Sequence, residues 1–149
     1  MEITNKLRVE YHVIDRCNLN CKACSHFSNL KSTRAEIPKN LNKIKADFKK
    51  VYELTNNGDP DYLGKVTLMG GEPLLYKQLI PCIDSVKSLF PHEYDEGPLQ
   101  LITNGILVPK QKPEFFECLR RNKVRVCVSM YKSDEYGVKI NYDAIFKIL

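Results

Sequence analysis

No apolar run in this chain approaches the roughly 20 residues that a membrane-spanning helix needs. Met1 to Tyr11 also lacks the apolar centre of a secretion signal. With neither feature, a cytoplasmic location is expected, and no membrane partner. The six cysteines are then expected as thiols or metal ligands rather than disulfides. No tandem repeat or low-complexity tract interrupts the 149 residues, a length that suits one domain. Basic and aromatic residues do not interleave in the way that stacks single-stranded bases, so nucleic acid is not expected as a partner. The net charge of +5 gathers in clusters such as Lys43, Lys45, Lys49 and Lys50, which read as a solvated helix face.

What is present alternates. Leu7 to Ile14 alternates apolar with polar residues and predicts a first strand. Asn40 is placed to cap a helix with apolar positions Leu41, Ile44, Phe48, Val51 and Tyr52, closed by Asn56-Asn57-Gly58. Val66 to Met69 predicts a second strand, and Leu79 to Phe90 a helix stopped by Pro91. Leu99 to Thr103 predicts a third strand, and Pro113 opens a helix through Phe115, Phe116 and Leu119. Val124 to Met130 predicts a fourth strand, and Tyr142 to Leu149 starts a fourth helix. This is an α/β chain with a parallel sheet. Its last helix stops while the apolar pattern is still running, so a fragment is expected.

Strands buried on both faces usually read as continuous apolar runs. Here Arg8, Glu10 and His12 share one face of the first strand, and Arg125, Cys127 and Ser129 one face of the fourth. Such faces suit a hydrated cavity, an exposed sheet face or an edge. The unusual loops also share a place. The cysteines follow strand one, Gly70-Gly71-Glu72-Pro73 strand two, Thr103-Asn104-Gly105 strand three, and Ser129 closes strand four. In parallel α/β folds, ligands gather at these C-terminal ends.

Cys17, Cys21 and Cys24 put three thiols on one short loop. A four-iron cluster takes four sulfur ligands to be closed, so three leave one iron open to bind something else. Three buried thiols, or a zinc site completed by His26, are the alternatives. His26 lies only two residues beyond Cys24, which is cramped for tetrahedral zinc, and iron–sulfur chemistry fits better. Gly70-Gly71 allows close backbone approach, and exposed N–H groups at that turn would favour a carboxylate or phosphate. Cys82, Cys118 and Cys127 read as buried small hydrophobes, His12 as a hydrogen-bonded strand histidine and His92 as a surface turn. Glu10 is a candidate substrate group.

Cys17-x-x-x-Cys21-x-x-Cys24 after a first strand, with Gly70-Gly71-Glu72-Pro73 after a second, resembles the radical S-adenosylmethionine (radical SAM) enzymes. The resemblance spans nearly the whole chain, 1–149, as the N-terminal portion of the family's core domain. It implies a partial (β/α) barrel with about four strand–helix units present, where the family has six. It further implies a [4Fe–4S] cluster held by Cys17, Cys21 and Cys24, with S-adenosylmethionine chelating the fourth iron. Gly70, Gly71 and Glu72 would meet the methionyl amine through backbone groups, with Pro73 shaping the turn. Ser129 matches a position that bonds ribose or carboxylate, and Thr103 and Asn104 a strand end facing cofactor or substrate. Ala23 stands where the family usually has an aromatic residue against the adenine, and Phe27 is the compensating candidate. No catalytic residue is assigned.

The activity implied is reductive cleavage of S-adenosylmethionine to a 5′-deoxyadenosyl radical that abstracts hydrogen from a substrate not specified by the motifs. An electron donor such as flavodoxin or ferredoxin is implied as a partner. An open edge at the fourth strand invites self-association. The alternatives are a non-catalytic metal-binding or redox-sensing module, and a scaffold active only with a partner chain.

Overall fold

A computed structural model describes residues 6–28, 39–92, 94, 97, 99–131 and 139–149. The polar stretch ending at Pro38 lies outside the described residues. Four parallel strands form one sheet in the order β1 (Leu7–Ile14), β2 (Leu63–Gly70), β3 (Gln100–Thr103), β4 (Arg125–Val128). Helices α1 (Leu41–Leu54), α2 (Leu79–Leu89), α3 (Pro113–Arg121) and α4 (Tyr142–Ile148) alternate with them. This is the α/β architecture that the sequence pattern predicts, with the parallel strands of the partial barrel that the resemblance implies.

Two of the helices, α1 and α4, begin where a polar side chain satisfies one of their first N–H groups. Asn40 Oδ1 accepts from the Asn42 amide at 2.8 Å, and Asn141 Oδ1 from the Ala144 amide at 3.0 Å. Pro113 takes the first position of α3, where a missing N–H costs nothing. After α1, Asn56, Asn57 and Gly58 all adopt left-handed backbone, which turns the chain back toward β2. β2 starts three residues before the apolar run suggests, because Leu63 pairs with Leu7 and Lys65 with Arg8, the register shifting at Gly64. β4 is shorter than predicted. Ser129 still donates its amide to the Thr103 carbonyl at 2.8 Å, but Met130 turns out to solvent.

Period-two alternation divides the sheet. Tyr11, Val13, Val66, Leu68 and Leu101 face the helices, where Ile44, Phe48, Cys82, Ile83, Val86, Phe115, Cys118 and Ile145 complete the core. Phe48 is fully buried against Tyr11, with ring centroids 4.9 Å apart. Burying such a ring contributes about 1.5–3 kcal/mol. Cys82 and Cys118 are buried there as expected, and burial holds the Cys82 thiol up at about 12. Cys127 departs from expectation. It lies half-buried on the opposite face, because β4 places it in register with Ile102 and away from the helices. No helix among the described residues is long and apolar enough to cross a membrane.

Candidate functional site

The C-terminal ends of the four strands converge on one cleft enclosing about 60 Å³. Cys17, Cys21 and Cys24 form one wall and Gly70-Gly71 the next. Thr103, Asn104 and Ser129 form the third, completed by His26, Met69 and Tyr131 among others. Clefts of about 330 and 570 Å³ lie elsewhere, but no cysteine or histidine lines them.

The glycines are required by the chain itself. A Cβ on Gly70 would overlap the Ile14 carbonyl oxygen, and one on Gly71 the carbonyl oxygens of Asp15 and Arg16. The exit of β1 thus lies directly on the turn, which places the cysteine loop beside it. Two hydrogen bonds hold this approach. Gly71 N–H donates to the Ile14 carbonyl at 2.8 Å and Glu72 N–H to the Arg16 carbonyl at 3.0 Å. The expectation of exposed N–H groups awaiting a carboxylate or phosphate is therefore corrected, since these donors are already used. A turn whose N–H groups are taken suits a cationic amine rather than an anion.

Glu72 is fully buried behind this wall. Its carboxylate accepts from the Thr103 hydroxyl at 2.6 Å, the Asn104 amide at 2.8 Å and the Leu74 amide at 3.0 Å. Burial pushes its pKa up while the three donors pull it down, and burial is the larger effect. Asn104 carries the connection onward. Its Nδ2 donates to Asn18 Oδ1 at 2.8 Å and lies 3.9 Å from Cys17 Sγ, and its Oδ1 accepts from the Ile106 amide at 3.1 Å. One chain of bonds thus runs from β2 through β3 to the cysteine loop.

The predicted residues divide accordingly. Cys17, Cys21, Cys24, Gly70, Gly71, Thr103, Asn104 and Ser129 all line the cleft. The Thr103 hydroxyl is turned away toward Glu72, where it also accepts from the Gly105 amide at 3.0 Å. Glu72 and Pro73 are buried behind the wall, whereas Ala23 and Phe27 are exposed and outside the lining. Sequence reasoning did not include Tyr131, whose phenol is pushed up mainly by burial. Ser129 pulls it down, and the three thiols add a smaller upward push. It also did not join His12 to His26. Their rings meet edge-on at 4.5 Å, and His12 Nδ1 lies 3.3 Å from Asp15. Burial and His12 lower the pKa of His26.

No family model matches the chain. A curated relative, GTP 3′,8-cyclase of Alkaliphilus metalliredigens (strain QYMF), is 25% identical over 133 residues, 89% of this chain and 37% of that protein. The fold matches Streptococcus suis SuiB bound to S-adenosylmethionine, with a TM-score of 0.65 and 18% identity over 97% of this chain and 29% of that one. SuiB bound to its precursor peptide SuiA matches with a TM-score of 0.68 and 17% identity, over 97% and 30%. In sequence the chain is similar to a cyclase, and in fold to a protein that binds S-adenosylmethionine. It spans about a third of the length of these relatives.

The four-iron cluster that the resemblance implies makes a testable demand on these residues. Among the described residues, no three His, Cys, Asp or Glu side chains gather tightly enough to share one ion. A four-iron cluster asks for something else, one thiolate per iron, and three thiols along one wall meet that demand for three of the four irons. Burial raises the Cys17 thiol most; the Leu19 amide, 3.4 Å from Sγ, opposes it, and Glu72 and the other two thiols add to it. Burial and Cys24 raise Cys21. Raised in this way, the free thiols of Cys17 and Cys21 hold their protons, which metal binding would release.

Proposed function

We infer that this chain is the cluster- and cofactor-holding part of a radical SAM enzyme, with Cys17, Cys21 and Cys24 as the iron ligands. The observation that carries this reading is the convergence of those thiols with the Gly70-Gly71 turn in one cleft, locked together by Glu72 and Asn104. Bound here, a [4Fe–4S] cluster and S-adenosylmethionine supply the one-electron cleavage that yields methionine and a 5′-deoxyadenosyl radical for hydrogen abstraction.

The residues of the chain bind and orient. The carbonyl-rich side of the Gly70-Gly71-Glu72 turn faces the methionyl amine, because its amides are spent on β1. Ser129, at the end of β4, offers a hydroxyl to ribose or carboxylate. Asn104 holds the cysteine loop at a fixed distance from β3. Met69 and Ile102 line the cleft with apolar surface that limits water. Flavodoxin or ferredoxin is the class of electron donor this chemistry calls for. The relatives' names specify GTP for one and a peptide for the other, so similarity alone selects no substrate.

Anaerobic reconstitution tests the reading. The expected product is brown protein with about four irons per chain, and each Cys→Ala change at positions 17, 21 and 24 removes the colour. S-adenosylmethionine with dithionite then yields 5′-deoxyadenosine. Stoichiometric zinc without iron uptake would instead indicate a metal-stabilised module.

A further inference from the structure

The thiols of the cleft differ in the donors that stand behind them. The Leu19 amide donates to Cys17 Sγ at 3.4 Å, and Asn104 Nδ2 lies 3.9 Å from the same sulfur. Cys21 is served by its own amide. Cys17 therefore has a side-chain donor brought to it from the end of β3, 87 positions away.

Asn104 is held in one orientation. It is 5% exposed, and its backbone amide donates to Glu72 at 2.8 Å. Its Oδ1 accepts from the Ile106 amide at 3.1 Å. An asparagine side chain has one acceptor end and one donor end, so fixing Oδ1 on Ile106 turns Nδ2 toward the cysteine loop. A flipped amide would set oxygen against Asn18 Oδ1 and NH2 against the Ile106 amide, losing both bonds. Nδ2 carries two hydrogens. One is used on Asn18 Oδ1 at 2.8 Å, which leaves the other for Cys17.

That second hydrogen gains little while Cys17 keeps its proton. A thiol sulfur is a weak acceptor, and the Cys17 thiol is itself a donor 3.8 Å from Asn18 Oδ1. Iron binding takes the proton away and makes Sγ a charged acceptor, for which a hydrogen bond is about twice as strong. The tie between loop and strand needs only the Asn18 bond. A second buried donor aimed at the sulfur is explained by the thiolate.

We propose that Asn104, with the Leu19 amide, sets the reduction potential of the bound cluster through the Cys17 thiolate. Electron density added to a cluster spreads onto its sulfur ligands, so N–H dipoles aimed at one of them favour the reduced state. Asn104 is a positioning residue, acting through Cys17. The proposal rests on the radical SAM reading and deepens it, because that chemistry begins with one-electron reduction of the cluster.

Redox titration of the reconstituted chain, followed by electron paramagnetic resonance of the reduced cluster, tests the assignment. Asn104→Ala makes reduction about tenfold less favourable, moving the midpoint about 59 mV more negative. Asn18→Ala breaks the same loop tie but keeps the donor, and its midpoint stays at the parent's value. Both potentials are read on the clusters that form, so a lower iron content does not enter. The parent labelled with heavy nitrogen in its asparagine side chains gives a second reading without substitution. Pulsed resonance then detects coupling between that nitrogen and the reduced cluster, and the coupling persists in Asn18→Ala. The assignment is overturned if Asn104→Ala shares the parent's midpoint, if Asn18→Ala shifts as far, or if the labelled parent shows no coupling. A parent that takes up no iron removes the enzyme reading and this one together, whereas a complete cluster whose potential ignores Asn104 removes this one alone.

Discussion

Replacing Glu72 with Gln tests whether one buried carboxylate holds the site together. Its oxygens receive separate backbone donors, Leu74 N–H on Oε1 and Asn104 N–H on Oε2, and Oε1 also takes the Thr103 hydroxyl. A protonated carboxyl can still accept both amides, but a glutamine cannot. Its NH2 must replace one oxygen, and whichever it replaces then confronts a buried N–H with another donor. Leaving a buried donor unpaired costs about 1–3 kcal/mol. The change relieves some desolvation of the acid, so a net loss of about 2 kcal/mol is expected. For a domain of this size that lowers the melting temperature by about 4–8 °C. Circular dichroism melts measure the loss, and amide exchange at Asn104 shows where it falls. A glutamine variant melting within 1 °C of the parent, with Asn104 still protected, would refute Glu72 as the node.

Three further outcomes follow from the same geometry. Gly71→Ala drives a Cβ into the Asp15 and Arg16 carbonyls and costs about 1–3 kcal/mol in urea unfolding, with reduced iron uptake because Cys17 moves with β1. Asn104→Ala removes the bonds to Asn18 and the Ile106 amide at a cost of about 1–2 kcal/mol, and reconstitution yields less iron per chain while far-ultraviolet dichroism is retained. The pH dependence has a definite sign. Glu72 is raised in the fold, so its contribution is complete below the ordinary glutamate range and declines as pH rises toward the raised value. The stability gap between parent and Glu72→Gln therefore narrows as pH rises through that interval; a gap that widens contradicts the burial argument.

Much of this fold is legible because its signals are local. Asn40 and Pro113 start helices by satisfying or lacking an N–H, and alternation in Leu7–Ile14 separates a helix-packed face from a polar one. The cysteine loop and the double glycine are legible for the same reason, as short contiguous patterns. What escaped was the bonding between distant residues. Glu72 reads as part of a turn, yet its function in the fold is set by Thr103 and Asn104, 31 and 32 positions away. The turn's amides escaped likewise. A Gly-Gly pair shows that a backbone can come close, but not that the approaching group is the carbonyl of β1 rather than an anion. Tyr131 gave no signal because Met130 and Tyr131 follow the last paired residue of β4, where alternation ends.

The two faces of the sheet divide stability from chemistry. The helix side is saturated with apolar contacts and holds Cys82 and Cys118 as inert, buried thiols, so the core has no need of the cysteine loop. The loop in turn is tied down by polar bonds, through Asn18, Asn104 and Glu72, that contribute little apolar burial. A site fixed by directional bonds can keep three half-buried thiols at set positions in a cleft that still opens to solvent. Apolar packing would fill the same space. The departure of this cleft from ordinary core construction is thus itself the physical argument that it is kept to hold something.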